Sequence, residues 1–125
     1  LYQKTDSGFV QQWKMIDYIN DCELDLTCAF YDEHLSITDL DKNDLAEITM
    51  VYALSCKGDV SPNEKKLIMY EGGKKYAIRG EELVIMQKDT IGGTMTADTA
   101  FSKAPPAFLS FAKEHWKKFG LQKYE

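Results

Sequence analysis

The chain has 125 residues, of which 44% are hydrophobic and 28% are charged, and its formal net charge is −5. This length and composition predict one globular domain, residues 1–125, with enough apolar residues to form a core. The first 56 residues hold 3 lysines or arginines against 11 acidic residues, so nucleic acid is not an expected partner. No apolar run approaches the length of a membrane-spanning helix, and residues 1–13 lack the basic-then-apolar order of a signal peptide.

Three cysteines, Cys22, Cys28 and Cys56, occur without a CxxC motif or the ligand spacing of a zinc site. An odd number of cysteines at such spacing favours three reduced thiols, and a disulfide between two of them is the alternative. Reduced thiols are typical of cytoplasmic proteins, so we expect a cytoplasmic location.

The first predicted element is a helix that begins at Ser7 and ends near 20–21. Five apolar residues recur there at roughly helical spacing: Phe9, Val10, Trp13, Ile16 and Tyr18. Next, the apolar run 26–31 and the alternating residues Leu35 and Ile37 predict a strand hairpin. A second helix is predicted over 43–55, with Asp39 or Asp41 as its N-cap. Its apolar stripe consists of Leu45, Ile48, Val51, Tyr52 and Leu54.

Residues 65–99 predict a meander of short antiparallel strands. Three apolar runs, 67–70, 76–78 and 83–86, are separated by Gly72-Gly73 and by Gly80-Glu81, and Gly92-Gly93 opens a threonine-rich run. Glycine tolerates positive φ, so these pairs are where the chain can reverse. After the meander, Pro105-Pro106 opens a last predicted helix, in which apolar residues recur at the helical period as far as Gly120.

The sequence contains no recognisable catalytic or metal-binding motif. P-loop, GxGxxG, GxSxG and HExxH patterns are all absent. Asp39, Asp41 and Asn43 alternate as in an EF-hand loop, but the sixth position is not glycine and the twelfth is Met50 rather than glutamate. We therefore expect no enzyme activity, no cofactor and no metal site, which leaves binding as the expected function.

The strings GGKKYAIRGE (72–81), LVIMQKD (83–89) and IGGTMT (91–96) resemble the central hairpins of profilins, a family of small actin-monomer-binding proteins. Trp13 and the string HWKKFGL (115–121) are similar to the terminal helices of that family. The resemblance covers roughly 12–121, although 97–103 is shorter than the corresponding strand and loop in profilins. It implies an α+β fold, in which a central antiparallel sheet carries the N- and C-terminal helices on one face and the 43–55 helix on the other.

The resemblance also implies a function: a monomeric cytoplasmic protein of the cytoskeleton that binds monomeric actin and regulates filament assembly. By position, the actin-binding residues would be Lys75, Arg79, Lys88 and Met86, of which Met86 stands where the family often has a base. Cations on such a face would steer the encounter with acidic actin more than add affinity.

A second profilin surface is an aromatic cleft that takes proline-rich peptides, such as those of formins. The resemblance places this cleft at Trp13, Tyr18, His115, Trp116 and Leu121. Aromatic walls suit a polyproline II ligand because it is already extended before it binds. Phosphoinositide binding, a side activity of profilins, is expected to be weak or absent in a chain this acidic.

An alternative function is a longin-like or roadblock-like adaptor or scaffold domain, which mediates protein–protein interaction without actin. Such a domain would pair through an exposed sheet edge or helix and form dimers. A third possibility, a small-molecule carrier with a pocket between sheet and helix, has no feature of the sequence in its favour.

Overall fold

The computed structural model describes residues 1–124, and strands account for 48% of the chain against 14% for helices. In chain order the elements are β1 (Tyr2–Thr5), β2 (Gly8–Gln11), β3 (Asp25–Phe30), β4 (Ser36–Thr38), β5 (Glu47–Lys57), β6 (Glu64–Glu71), β7 (Lys74–Glu81), β8 (Leu83–Met86), β9 (Asp89–Gly92), β10 (Met95–Ala97), a 3₁₀ helix (Thr99–Lys103), α1 (Pro106–Lys117) and β11 (Leu121–Tyr124).

The strands form three sheets. The main sheet is antiparallel with strand order β10-β7-β6-β5-β3, and β4 pairs with the start of β5 on the same side as β3. A three-stranded sheet has the order β11-β8-β9, in which β11 runs parallel to β8. The third sheet is the β1–β2 hairpin.

The main sheet is covered on both sides. α1 covers one side, called here the helix face, where Val51, Leu67 and Ile78 pack against Phe108 and Trp116. The opposite side, called here the outer face, carries the neighbouring strand residues, since successive side chains of a strand point to opposite sides. Segment 12–20 lies on this outer face. Within residues 1–124 no helix is both long and apolar enough to cross a membrane.

The α+β fold expected from the sequence is wrong, because within residues 1–124 only the last of the three expected helices forms. The predicted helix at 43–55 is instead largely strand β5. No residue between Ile48 and Cys56 is charged, so a helix there would have no polar side to turn toward water. As a strand between β6 and β3, the same run has both of its faces covered, which favours continuous apolar sequence.

The predicted N-terminal helix is also wrong. Residues 8–11 form β2, and residues 12–20 are extended, with odd-numbered residues half-buried and even-numbered residues exposed. This alternation has the period of an extended chain. Trp13 faces inward, where its ring stacks on Tyr70 at 4.1 Å between centroids, whereas Ile16 and Tyr18 face solvent. The apparent helical spacing combined residues from both sides of this segment. The N- and C-terminal parts of the chain therefore lie on opposite faces of the sheet.

The C-terminal helix is confirmed, and so is the part of the meander formed by β6 and β7, whereas Gly80-Glu81 lies inside β7 and β8 pairs with β9 and β11 in a separate sheet. β6 and β7 pair across the turn at Gly72-Gly73, where Gly72 has a φ of 58°. α1 ends at Lys117, and Gly120, with a φ of 72°, turns the chain into β11. At Gly80 an added Cβ would lie 1.8 Å from the main-chain oxygen of Thr94, so a larger residue would separate β10 from β7.

Candidate functional site

The four residues expected to bind actin lie in two different sheets. Lys75 and Arg79 project from β7 onto the outer face. Arg79 pairs with Asp98, with 2.6 Å between guanidinium nitrogen and carboxylate oxygen. Met86 ends β8, and Lys88 lies in the turn between β8 and β9. The structure therefore brings Lys75 and Arg79 together on one face and places Met86 and Lys88 elsewhere.

The residues expected to form a proline-peptide cleft do not meet. Trp13 packs on the outer face, whereas His115 and Trp116 belong to α1 and lie on the helix face, with the main sheet between the two groups. Trp116 is only 4% exposed. Tyr18 points to solvent, and Leu121 begins β11. Trp13 and Trp116 therefore pack in two separate cores and do not line one shared cleft.

Asp17 fixes the extended segment to the outer face. Its carboxylate accepts hydrogen bonds from the hydroxyl of Tyr52 at 2.7 Å and from the ammonium of Lys66 at 2.6 Å. Burial alone would raise the pKa of Asp17, but the hydrogen bonds from Lys66 and Tyr52 outweigh it and the pKa is lowered. The carboxylate therefore stays ionised and keeps this anchor at neutral pH.

A buried amine lies on the helix face beside a cavity of about 390 Å³. Lys65 is 3% exposed, and its ammonium donates to the main-chain oxygens of Trp116 at 3.1 Å and Phe119 at 2.9 Å. Burial lowers the pKa of Lys65 to about 8, and the nearby carboxylate of Glu82 opposes that shift. Because two carbonyls already accept from this amine, it is placed to hold α1 rather than to attack a substrate.

Beside Lys65, Glu82 bonds to three distant parts of the chain. Its carboxylate accepts from the hydroxyl of Tyr31, from the side-chain amide of Asn63 at 3.0 Å and from that of Gln122 at 2.6 Å. Burial and the bond to Glu82 raise the pKa of Tyr31 well above its usual range. Because three donors already bond to this carboxylate, the cluster stabilises the fold where these parts of the chain meet.

The outer edge of β3 is open. Within residues 1–124, β3 pairs with β5 alone. Leu26 is 53% exposed and Phe30 is 54% exposed, and both point to the outer face together with the thiol-bearing Cys28. Beside them opens an apolar cavity of about 390 Å³, whose walls include Met15 and Leu54. An unpaired strand edge next to exposed apolar side chains is a typical place for another strand to add.

The cysteines differ from the expected state. Cys22 and Cys56 form a disulfide that links the end of the N-terminal segment to β5. The expectation of three reduced thiols is therefore wrong, and the alternative with one disulfide holds. The bond suits this fold because segment 12–20 has no strand pairing of its own to hold it on the sheet. Cys28 remains a free, exposed thiol on β3.

Acidic side chains gather in the loop between β4 and β5. Carboxylate oxygens of Asp39, Asp41 and Glu47 all lie within 4.8 Å of one another. The sequence indicated the alternation of Asp39 and Asp41, but Glu47 joins them only because β4 pairs with β5 and places Thr38 opposite Glu47.

Comparison with protein-family models, curated proteins and solved structures finds no match to this chain.

Proposed function

We propose that this chain is a protein-binding domain that associates through the open edge of β3, and that the strand added there is β3 of a second copy. The observation that carries the proposal is that one strand combines unpaired main-chain groups with exposed apolar side chains, Leu26 and Phe30. An added antiparallel strand would satisfy the main-chain groups and cover the side chains together.

β3 lacks the features that usually protect an edge strand. Natural edges are blunted by lysine, proline, bulges or very short strands. β3 is six residues long with the sequence DLTCAF, and its single charge, Asp25, stands at its first position. The opposite edge of the main sheet, β10, has only three residues, so it offers far less to a partner.

A second copy is the occupant that suits this edge by symmetry. An antiparallel pair of identical strands is self-complementary about a two-fold axis, which is the commonest symmetry of soluble dimers. With the axis at Cys28, Leu26 of one copy lies opposite Phe30 of the other, and Asp25 lies opposite Tyr31. No like charges then face each other, and the apolar side chains pair across the new strand contact.

The disulfide bears on where such a domain works. Structural disulfides persist in oxidising compartments and are rare in the cytoplasm, so the Cys22–Cys56 bond supports an oxidising location. Actin-monomer binding, together with proline-peptide binding, stays a prediction. Because actin-monomer binding is a cytoplasmic function, the disulfide favours the adaptor function over actin-monomer binding.

Sedimentation velocity over a range of concentrations tests the proposal. We expect wild type to shift from monomer to dimer as concentration rises, and the double variant Leu26→Lys/Phe30→Lys to remain monomeric, because lysine on an edge opposes pairing. Phe9→Lys is the matched control, since Phe9 is a 72% exposed phenylalanine on β2, and it should dimerise like wild type.

Circular dichroism of all three proteins shows whether the fold is kept. A wild-type protein that stays monomeric at about 100 μM, where association weaker than roughly −5.5 kcal/mol is no longer seen, would contradict the second copy as occupant. A dimer that Leu26→Lys/Phe30→Lys leaves intact would move the interface away from β3.

A further inference from the structure

The loop between β4 and β5 contributes to a cluster of three carboxylates, the one group of three or more possible metal ligands found among the described residues. Asp39 and Asp41 stand in this loop, and Glu47 is the first residue of β5. One carboxylate oxygen from each residue lies within 4.8 Å of the others. Two oxygens on opposite sides of a calcium ion are separated by roughly 4.6–5.2 Å, so three oxygens this close together can contact one calcium ion.

Glu47 provides the observation that points to a ligand. Its side chain is 0% exposed. One carboxylate oxygen, Oε2, accepts from the hydroxyl of Thr38 at 2.8 Å and from the main-chain N–H of Leu40 at 2.9 Å. The other, Oε1, has no hydrogen-bond partner within residues 1–124, and neither has the buried Oδ1 of Asp41. Glu47 is thus a fully buried carboxylate beside two others, with one oxygen that accepts no hydrogen bond, and such a group lacks a positive partner.

A fourth acidic side chain lies next to the cluster. Glu71 lies directly opposite Glu47 on β6. The salt bridges found in the described chain join Lys66 to Asp17 and Arg79 to Asp98, so no lysine or arginine pairs with these carboxylates.

The loop is held in shape before any ion binds. Asp39 accepts from the main-chain N–H groups of Asn43 and Asp44, each at 3.1 Å. Lys42 and Asp44 have φ values of 57° and 64°, and these left-handed conformations turn the backbone sharply next to Asp39. Asn43 also donates from its side chain to Glu71 at 3.1 Å, which ties the loop to β6.

We propose that Asp39, Asp41 and Glu47 bind a calcium ion, with Asp41 Oδ1 and Glu47 Oε1 among its ligands and water completing the shell. All donors are oxygens, without histidine or cysteine, which suits a hard cation. The cluster departs from the EF-hand pattern because its buried glutamate comes from a strand and not from the twelfth loop position. With few protein ligands, the affinity falls at the weak end, about 10⁻⁴ to 10⁻³ M, as in extracellular modules.

Calcium titration by calorimetry, with thermal unfolding in EGTA and in excess CaCl₂, tests the site. At a calcium concentration ten times Kd, the ratio of folded to unfolded protein should rise about 11-fold, which raises the Tm. Asp41→Asn should abolish both the binding heat and the Tm increase. In EGTA this variant should be at least as stable as wild type, because it removes a repelling charge.

Asp44→Asn is the matched control, since Asp44 is an exposed residue of the same loop and asparagine tolerates its positive φ. It should keep the calcium response of wild type. Glu47→Gln is a second test of the cluster and should lose the response. Equal Tm values for wild type in EGTA and calcium would overturn the proposal, as would an equal loss in Asp44→Asn. A magnesium response as large as that to calcium would overturn the assignment to calcium.

Discussion

The ammonium group of Lys65 lies 4.0 Å from the centre of the Trp116 ring and donates to the main-chain oxygen of the same residue at 3.1 Å. Trp116 stands in the last turn of α1, where helix carbonyls lack partners within the helix and the helix dipole favours a cation. A second bond reaches Phe119. A lysine from β6 therefore caps the helix and fixes it to the sheet.

Lys65→Met should destabilise the protein. Methionine keeps most of the apolar stem, but the carbonyl of Phe119 loses its donor and that of Trp116 keeps only main-chain donors such as the Phe119 N–H at 3.4 Å, which costs about 2 kcal/mol. Urea unfolding measures the loss. The neighbouring Lys66→Met is the matched control, because its half-exposed pair with Asp17 should contribute no more than about 1 kcal/mol. Equal losses in the two variants would show that the helix-capping bonds add nothing.

The pH dependence of stability should also report on Lys65. Burial lowers its pKa to about 8 in the folded protein from the ordinary 10.5, so between these values the unfolded chain binds more protons. The stability contributed by this group is therefore fully present above pH 10.5 and is lost as pH falls through 8. We expect the free energy of unfolding of wild type to rise from pH 8 to pH 9.5 relative to Lys65→Met. A constant difference between the two proteins would show that the amine titrates normally.

The elements that the sequence predicted correctly are those with local signals. Gly72-Gly73 marks the reversal between β6 and β7, and Pro105 with Gly120 brackets a helix whose apolar residues keep one period. Residues 48–56 gave no such signal. A run without charges can be a buried strand or a buried helix, and its partners on both sides, which the sequence does not show, decide between them.

The candidate sites were harder to predict from the sequence, because residues that are distant in the chain come together in them. Asp39 and Asp41 are visible as an alternating pair, but Glu47 joins them only through the β4–β5 register. Lys65 is one of two adjacent lysines in the sequence, and only the position of α1 makes one of them buried and the other half-exposed. Side-chain type alone cannot separate them.

Oxidative cross-linking should detect the proposed β3 dimer. Directly opposite residues of an antiparallel pair have Cα atoms about 4.5–5.5 Å apart, within the range of a disulfide. Cys28 is the free thiol, since Cys22 and Cys56 are bonded to each other. Mild oxidation should therefore yield a covalent dimer on non-reducing gels, and Cys28→Ser should not. A dimer that forms equally in the Leu26→Lys/Phe30→Lys variant would indicate random collision rather than pairing.

Charge reversal on β7 tests the prediction of actin binding. Lys75 and Arg79 share the outer face, whereas Lys74, the neighbour of Lys75, points to the other side of the strand. If this face binds actin, Lys75→Glu/Arg79→Glu should weaken inhibition of pyrene-actin nucleation several-fold, because opposite charges steer and register the encounter. Lys74→Glu keeps the same strand and changes a charge of the same type, so it should inhibit like wild type.

Arg79→Glu also breaks the pair with Asp98, so thermal unfolding must first show that the double variant is folded. Equal inhibition by the folded double variant and by Lys74→Glu would exclude this face as the actin-binding surface. If wild type does not inhibit at tens of micromolar, which corresponds to a binding free energy of about −6 kcal/mol, the β3 edge would be left as the interaction surface to pursue.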